Sequence, residues 1–123
     1  MALDVLIVDD SAAIRKILQR VLMQADVPVG KVFEAGDGIE ALKVLQAQPV
    51  GLILSDINMP NMDGLQFLGQ VRANAAWKQV PVVMVTTEGS QNKVLEAVQL
   101  GASGYVKKPF TAEQIKEKLA GLI

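Results

Sequence analysis

Leu52-Ile53-Leu54-Ser55-Asp56-Ile57-Asn58-Met59-Pro60-Asn61-Met62-Asp63-Gly64 is the stretch that decides the architecture. Its apolar start has the length and composition of a strand buried on both faces, as in a parallel sheet. The run stops at a carboxylate, Asp56. Asn58, Pro60, Asn61 and Asp63-Gly64 then supply turn chemistry before an amphipathic helix begins. Open α/β sheets place their ligands at the carboxyl ends of strands. Asp56 is therefore a site candidate. The plainer alternative is that it only caps its own turn.

Working outward, the same grammar repeats on both sides. Asp4-Val5-Leu6-Ile7-Val8 is an apolar run ending in Asp9-Asp10, and Ser11 stands as the N-cap of a helix carrying Ile14, Ile17, Leu18, Val21 and Leu22. Lys31-Val32-Phe33-Glu34 reads as a weaker strand near a sheet edge. Asp37-Gly38 opens a helix with Ile39, Leu42 and Leu45 on one face. After the central stretch, a third helix carries Leu65, Phe67, Leu68 and Val71. Pro81-Val82-Val83-Met84-Val85 is a fourth strand ending in Thr86-Thr87-Glu88-Gly89. A helix from about Ser90 to Leu100 follows, with Val94, Leu95 and Val98 expected inward. Tyr105-Val106-Lys107 is a short last strand, and Lys108-Pro109-Phe110 bends the chain out. Thr111 and Gln114 form a capping box for a helix lined by Ile115, Leu119 and Leu122.

Strands alternating with helices over short connections predict a doubly wound α/β sandwich, with a parallel five-stranded sheet and right-handed crossovers. The 123 residues are expected to form one domain, 1–123, with no linker and no output domain. Half the residues are hydrophobic, yet no apolar run approaches the ~20 residues of a membrane span. Met1-Ala2-Leu3-Asp4 lacks the features of a signal peptide, so a cytoplasmic location is expected. A net charge of −1 provides no general attraction to nucleic acid. The chain has no Cys and no His, which removes disulfides, thiolate catalysis and the usual zinc sites. Any metal would be held by oxygen: magnesium, with manganese or calcium as substitutes.

A parallel sheet gathers all its strand carboxyl ends along one rim. Asp9, Asp10, Asp56, Thr86 and Lys107-Lys108 thus come together. Two carboxylates about 4 Å apart repel by roughly 4 kcal/mol at an effective dielectric near 20. Such a cluster shifts a pKa or recruits a cation, and Mg²⁺ suits hard oxygen ligands at a partly open rim. Taken singly, each residue has a bland role: helix-terminus charge for Asp9-Asp10, loop satisfaction for Thr86, solvated charge for Lys108. Their joint placement favours a site.

Val8-Asp9-Asp10-Ser11, Ser55 to Gly64, Met84-Val85-Thr86-Thr87-Glu88 and Gly101 to Phe110 resemble the receiver domain of two-component response regulators, over essentially the whole chain. Among receivers the likeness is to stand-alone chemotaxis regulators of the CheY type. The sheet order 2-1-3-4-5 is the documented order of CheY itself and is carried over from the resemblance. The resemblance implies that Asp56 is the phosphoacceptor for a histidine kinase. It implies Mg²⁺ ligation by Asp10, Asp56 and the backbone carbonyl of Asn58, with Asp9 acting mostly through water. Lys108 and Thr86 would contact phosphoryl oxygens, Thr86 and Tyr105 would form the switch, and Asn58 and Glu88 would modulate dephosphorylation. Lys108-Pro109 would be a cis peptide.

The implied output is partner binding on the face of helix 4, strand 5 and helix 5, with a flagellar motor switch or a phosphatase as candidate partners. The unphosphorylated form would be a monomer. The alternative output is a phosphorelay, passing the phosphoryl to a histidine phosphotransfer protein. Ile57 stands where the best-known chemotaxis regulator has Trp, Lys107 replaces an apolar residue, and Gly89-Ser90-Gln91 differs. These departures concern partners rather than phosphorylation chemistry. A haloacid-dehalogenase-type phosphatase fits poorly: Asn58 stands where its acid/base aspartate belongs, and these 123 residues leave no room for the expected cap domain. A flavodoxin-like cofactor binder would need a phosphate loop where Asp9-Asp10 stand.

Overall fold

The computed structural model describes residues 3–86, 91–108 and 110–120. Strands and helices alternate: β1 Leu3–Val8, α1 Ala12–Gln24, β2 Val29–Ala35, α2 Gly38–Ala47, β3 Leu52–Asp56, α3 Gly64–Ala73, β4 Val82–Thr86, α4 Gln91–Gln99, β5 Gly104–Lys107 and α5 Ala112–Leu119. All pairings are parallel and the sheet order is β2-β1-β3-β4-β5, so β2 is an edge as its weak pattern predicts.

The strands are short and apolar because both faces are covered. Every residue of β3 and β4 is buried. Side chains alternate between faces: Val5, Ile7, Leu52, Leu54, Val83 and Val85 pack with Leu18, Leu22, Ile115 and Leu119 of α1 and α5. Leu6, Val8, Ile53, Val82 and Met84 pack with α2, α3 and α4 through Ala41, Leu45, Phe67, Leu68, Val71 and Ala97.

Side chains cap the helix starts, at Ser11 and Thr111 as the sequence predicts and also at Asp37 and Asp63, which the sequence marks only as turn residues. Ser11 accepts from the Ile14 N–H, and Asp37 from the Glu40 N–H. Asp63–Gln66 and Thr111–Gln114 are reciprocal capping boxes.

The inward face of α4 differs from expectation. Leu95 is 63% and Val98 54% exposed, while Ala97 is buried and Val94 half-buried. With Ala97 against the sheet, a residue two positions earlier lies roughly 160° round the helix, facing away. Ile17 and Ile39, read as members of buried stripes, are also well exposed, at the margins of α1 and α2. Ser90 and Leu122 lie outside the described residues.

Candidate functional site

The predicted rim exists. Asp9 directly follows β1, Asp56 ends β3, Thr86 ends β4 and Lys108 directly follows β5. Asp9, Asp10 and Asp56 each offer a carboxylate oxygen, and these lie within 4.8 Å of one another. Asp9, Asp56 and Thr86 are buried; Asp10 is exposed. Lys108 Nζ donates to Asp9 Oδ2 at 3.1 Å and reaches Asp56 Oδ2 at 3.4 Å. Parallel register explains this meeting of residues 52 and 99 positions apart in the chain.

Each buried carboxylate divides its two oxygens between local and long-range work. Asp56 Oδ1 accepts the Ile57 N–H at 2.7 Å, so the turn-capping alternative is correct for one oxygen. The other faces Lys108. Asp9 likewise accepts the Ser11 N–H on Oδ1 at 2.9 Å and Lys108 on Oδ2. Those backbone bonds set the rotation of both carboxyl groups.

Burial raises the Asp56 carboxyl above its ordinary value; Lys108 opposes that shift and the Asp9 charge reinforces it. For Lys108, burial works to lower the ammonium. The hydrogen bond to Asp9 and the charges of Asp56 and Asp9 together outweigh it, and the net shift is upward.

The loop after Asp56 is shaped by close backbone approach. Gly64 N–H donates to Ile57 O at 2.7 Å, and a Cβ at Gly64 would lie 2.0 Å from the carbonyl oxygen of Asp56. Only glycine allows α3 to start against the end of β3. Asn61, at φ 65°, takes the left-handed turn that asparagine tolerates. Its amide donates to Asp37 Oδ2 at 2.8 Å, and Met62 O accepts the Gly38 N–H at 3.1 Å. The N-terminus of α2 therefore grips this loop. Hydrogen bonds from the Glu40 N–H and the Asn61 amide hold the Asp37 carboxyl below its ordinary range.

The remaining predicted residues sit near the rim in different settings. Thr86 is buried, its carbonyl accepts the Lys108 N–H at 2.6 Å, and its register partner on β5 is Lys107. Asn58 is exposed, and its Oδ1 accepts from Lys93 Nζ at 2.6 Å. Tyr105 is 36% exposed, with Lys118 Nζ 5.3 Å from its ring centroid. Glu88 and Pro109 lie outside the described residues.

Four residues that make long-range bonds, three of them around the site and Arg72 at the opposite end of the sheet, carry no signal in local spacing. Arg15 donates to the carbonyl of Asp9 at 2.6 Å and pairs with Glu34 at 2.9 Å, bracing β1 against β2. Arg72 of α3 donates to Gly101 O at 2.9 Å and Val80 O at 2.7 Å, tying two connections together. Burial lowers its guanidinium pKa, and those carbonyls satisfy its N–H groups. Asn61 and Lys93 complete the set. The Asx-type signature of Asp37-Gly38 is the one trace in the sequence of the grip on Asn61.

Fold and rim together define a doubly wound α/β domain with a partly buried acidic cluster braced by Lys108 at the carboxyl ends of its strands. The family model for the response regulator receiver domain matches residues 5–120, and the chain belongs to that family. It is 42% identical over 115 residues to the chemotaxis protein CheY of Pseudomonas aeruginosa, covering 94% of this chain and 91% of that one. It is 40% identical over 115 residues to the chemotaxis protein CheY-3 of Vibrio cholerae, covering 94% and 87%. The solved structure of the chemotaxis response regulator CheY4 of Vibrio cholerae superposes with a TM-score of 0.87 at 37% identity, covering both chains entirely. These likenesses place the chain with the CheY-type receivers, which are signalling domains rather than conventional enzymes. Among the described residues, no helix is long and apolar enough to cross a membrane.

Proposed function

We propose that this receiver accepts a phosphoryl group on Asp56 from the phosphohistidine of a histidine kinase, and signals by a change in partner binding, in chemotaxis-like two-component signalling. The observation that carries this reading is the cluster itself: three carboxylates within 4.8 Å, two of them bridged by Lys108.

The donor set fits Mg²⁺. All its candidate ligands are hard oxygens, one carboxylate is exposed, and a single lysine leaves negative charge in excess. Asp10 and Asp56 would hold the ion with the Asn58 carbonyl, and Asp9 would act through water. Bound there, the ion supplies positive charge against the oxygens of the transferring phosphoryl group.

The chain's own residues do the rest. A carboxylate oxygen of Asp56 attacks phosphorus while the phosphorus–nitrogen bond of the donor breaks. The electron pair leaves with the imidazole nitrogen, which takes up a proton. Burial makes the carboxylate more basic than usual, and the Ile57 N–H holds its orientation. Lys108, already anchored by Asp9, can follow charge onto a phosphoryl oxygen while remaining paired.

A donor presented by a protein has a surface to meet. Beside Lys108 lies an apolar pocket of about 250 Å³ lined by Ile14, Ile17 and Phe110, and Ile17 is 43% exposed. The output face is that of α4, β5 and α5, where Leu95, Val98 and Tyr105 are exposed. Movement of Thr86 toward the phosphoryl group and inward rotation of Tyr105 away from Lys118 would change that face.

Intact mass after incubation with Mg²⁺ and acetyl phosphate tests the reading. The expected result is one phosphoryl added in wild type, dependent on Mg²⁺ and absent in Asp56→Asn. Unmodified wild type across a Mg²⁺ titration would remove Asp56 as a phosphoacceptor.

A further inference from the structure

A second lysine reaches the loop that follows Asp56, from α4. Lys93 lies in the first turn of α4, and its Nζ donates to Asn58 Oδ1 at 2.6 Å across 35 positions of sequence. Both residues are exposed. Contacts between exposed side chains are ordinarily weak, so the interest of this one is its location. Asn58 stands two residues past Asp56, on a loop otherwise held by Gly64 at its base and by α2 through Asp37–Asn61 and Gly38–Met62. Lys93 supplies the loop's contact with α4.

Charge balance gives that contact a use. Asp9, Asp10 and Asp56 carry three negative charges against one on Lys108, and a divalent ion neutralises the remainder. Phosphorylation replaces the single charge of Asp56 with about 1.5 to 2 negative charges. The phosphorylated site is then short of positive charge, and Lys93 is a cation on a flexible four-carbon stem already bonded to the residue two positions past Asp56.

We propose that Lys93 is a second, exchangeable cationic contact of the phosphorylation site, bonded to Asn58 while Asp56 is unmodified and to a phosphoryl oxygen once Asp56 is phosphorylated. The exchange releases the Asn58 side chain and draws the first turn of α4 toward the phosphoryl group. This inference rests on the phosphoacceptor reading of Asp56.

The exchange predicts two effects of opposite sign in Lys93→Met, read by equilibrium binding rather than by turnover. Mg²⁺ alone should bind about twofold more tightly, because a screened cation beside an acidic site has been removed. Fluoroberyllate with saturating Mg²⁺, a tetrahedral mimic of the phosphoryl group on a carboxylate, should bind about three- to tenfold more weakly, because a charge-assisted contact is lost. Lys93→Arg should restore fluoroberyllate affinity. In wild type, the side-chain amide resonance of Asn58 should shift when fluoroberyllate is added to the Mg²⁺-loaded protein.

Equal affinities in Lys93→Met and wild type would overturn the proposal, leaving the Asn58 contact a surface pair. Parallel loss of Mg²⁺ and fluoroberyllate binding would also overturn it, by assigning Lys93 a purely structural role. If wild type itself neither bound fluoroberyllate nor gained mass with acetyl phosphate, the phosphoacceptor reading would fail and this inference with it. Wild-type binding with indifferent Lys93 variants would fail this inference alone.

Discussion

Helices α3 and α4 pack on the same face of the sheet, and they are held there by different forces. α3 buries Phe67, Leu68 and Val71, carries a reciprocal capping box, and starts at a glycine pressed against the carbonyl of Asp56. Among the described residues, α4 buries Ala97 alone and turns Leu95 and Val98 to solvent. Polar contacts make up part of the difference: Lys93 bonds Asn58 near its start, and Arg72 bonds Gly101 just past its end.

An element with few buried apolar contacts can shift at low energetic cost, whereas one built into the core cannot. Asp56, the proposed phosphoacceptor, is therefore mounted on the fixed part of the molecule, next to a loosely held helix. That division suits a switch: chemistry requires preorganised groups, and signalling requires a second packing arrangement within a few kcal/mol.

Three measurements would break or sharpen this contrast. The largest effect belongs to Phe67→Ala, expected to cost about 3–5 kcal/mol in urea unfolding, since the ring is fully buried between α3 and the sheet. A loss below about 1 kcal/mol would mean that α3 is no better anchored than its neighbour.

Asp37→Ala comes next, removing the cap of α2 and its hydrogen bond to Asn61 together, at a cost of about 1–2 kcal/mol near neutral pH. The folded-state pKa of Asp37 lies below its ordinary 3.8. Its contribution is therefore complete above that value and disappears as pH falls through the lower, folded-state value. The gap between wild type and variant should narrow only below about pH 4. A gap that closed between pH 5 and 7 would point to another group.

The smallest effect is expected from Leu95→Ala, within about 0.5 kcal/mol of wild type despite the large side chain removed. A loss comparable to that of Phe67→Ala would place Leu95 in a core contact and end the distinction between the two helices.

Much of the molecule is legible locally. Apolar runs halted by Asp9, Asp56 and Thr86 mark the strand ends. Ser11 and Thr111 announce helix starts, because a capping side chain bonds a backbone N–H only three positions on. From alternation alone follows a parallel sheet, and from that sheet the gathering of Asp9, Asp10, Asp56, Thr86 and Lys108 on one rim. Asp56 was legible as a residue with two readings. The structure shows that they coexist, with one oxygen bonded to the turn and the other facing Lys108.

Other features depended on tertiary structure. Helical spacing marks Val94, Leu95 and Val98 as an apolar group on α4, but periodicity is silent on how much of that group a neighbour will cover. Ala97, small enough for close approach to the sheet, took the buried position instead. The bonds of Arg15 to Glu34, Asn61 to Asp37, Arg72 to Gly101 and Lys93 to Asn58 span 19, 24, 29 and 35 positions. A surface arginine, asparagine or lysine has no local pattern that names such a partner; packing does. Sequence alone determined the elements and the rim they build, because caps, breakers and strand patterns act over a few residues. Only tertiary structure decided which side chains brace that rim and which helix stays loosely held, because those depend on distances between elements far apart in the chain.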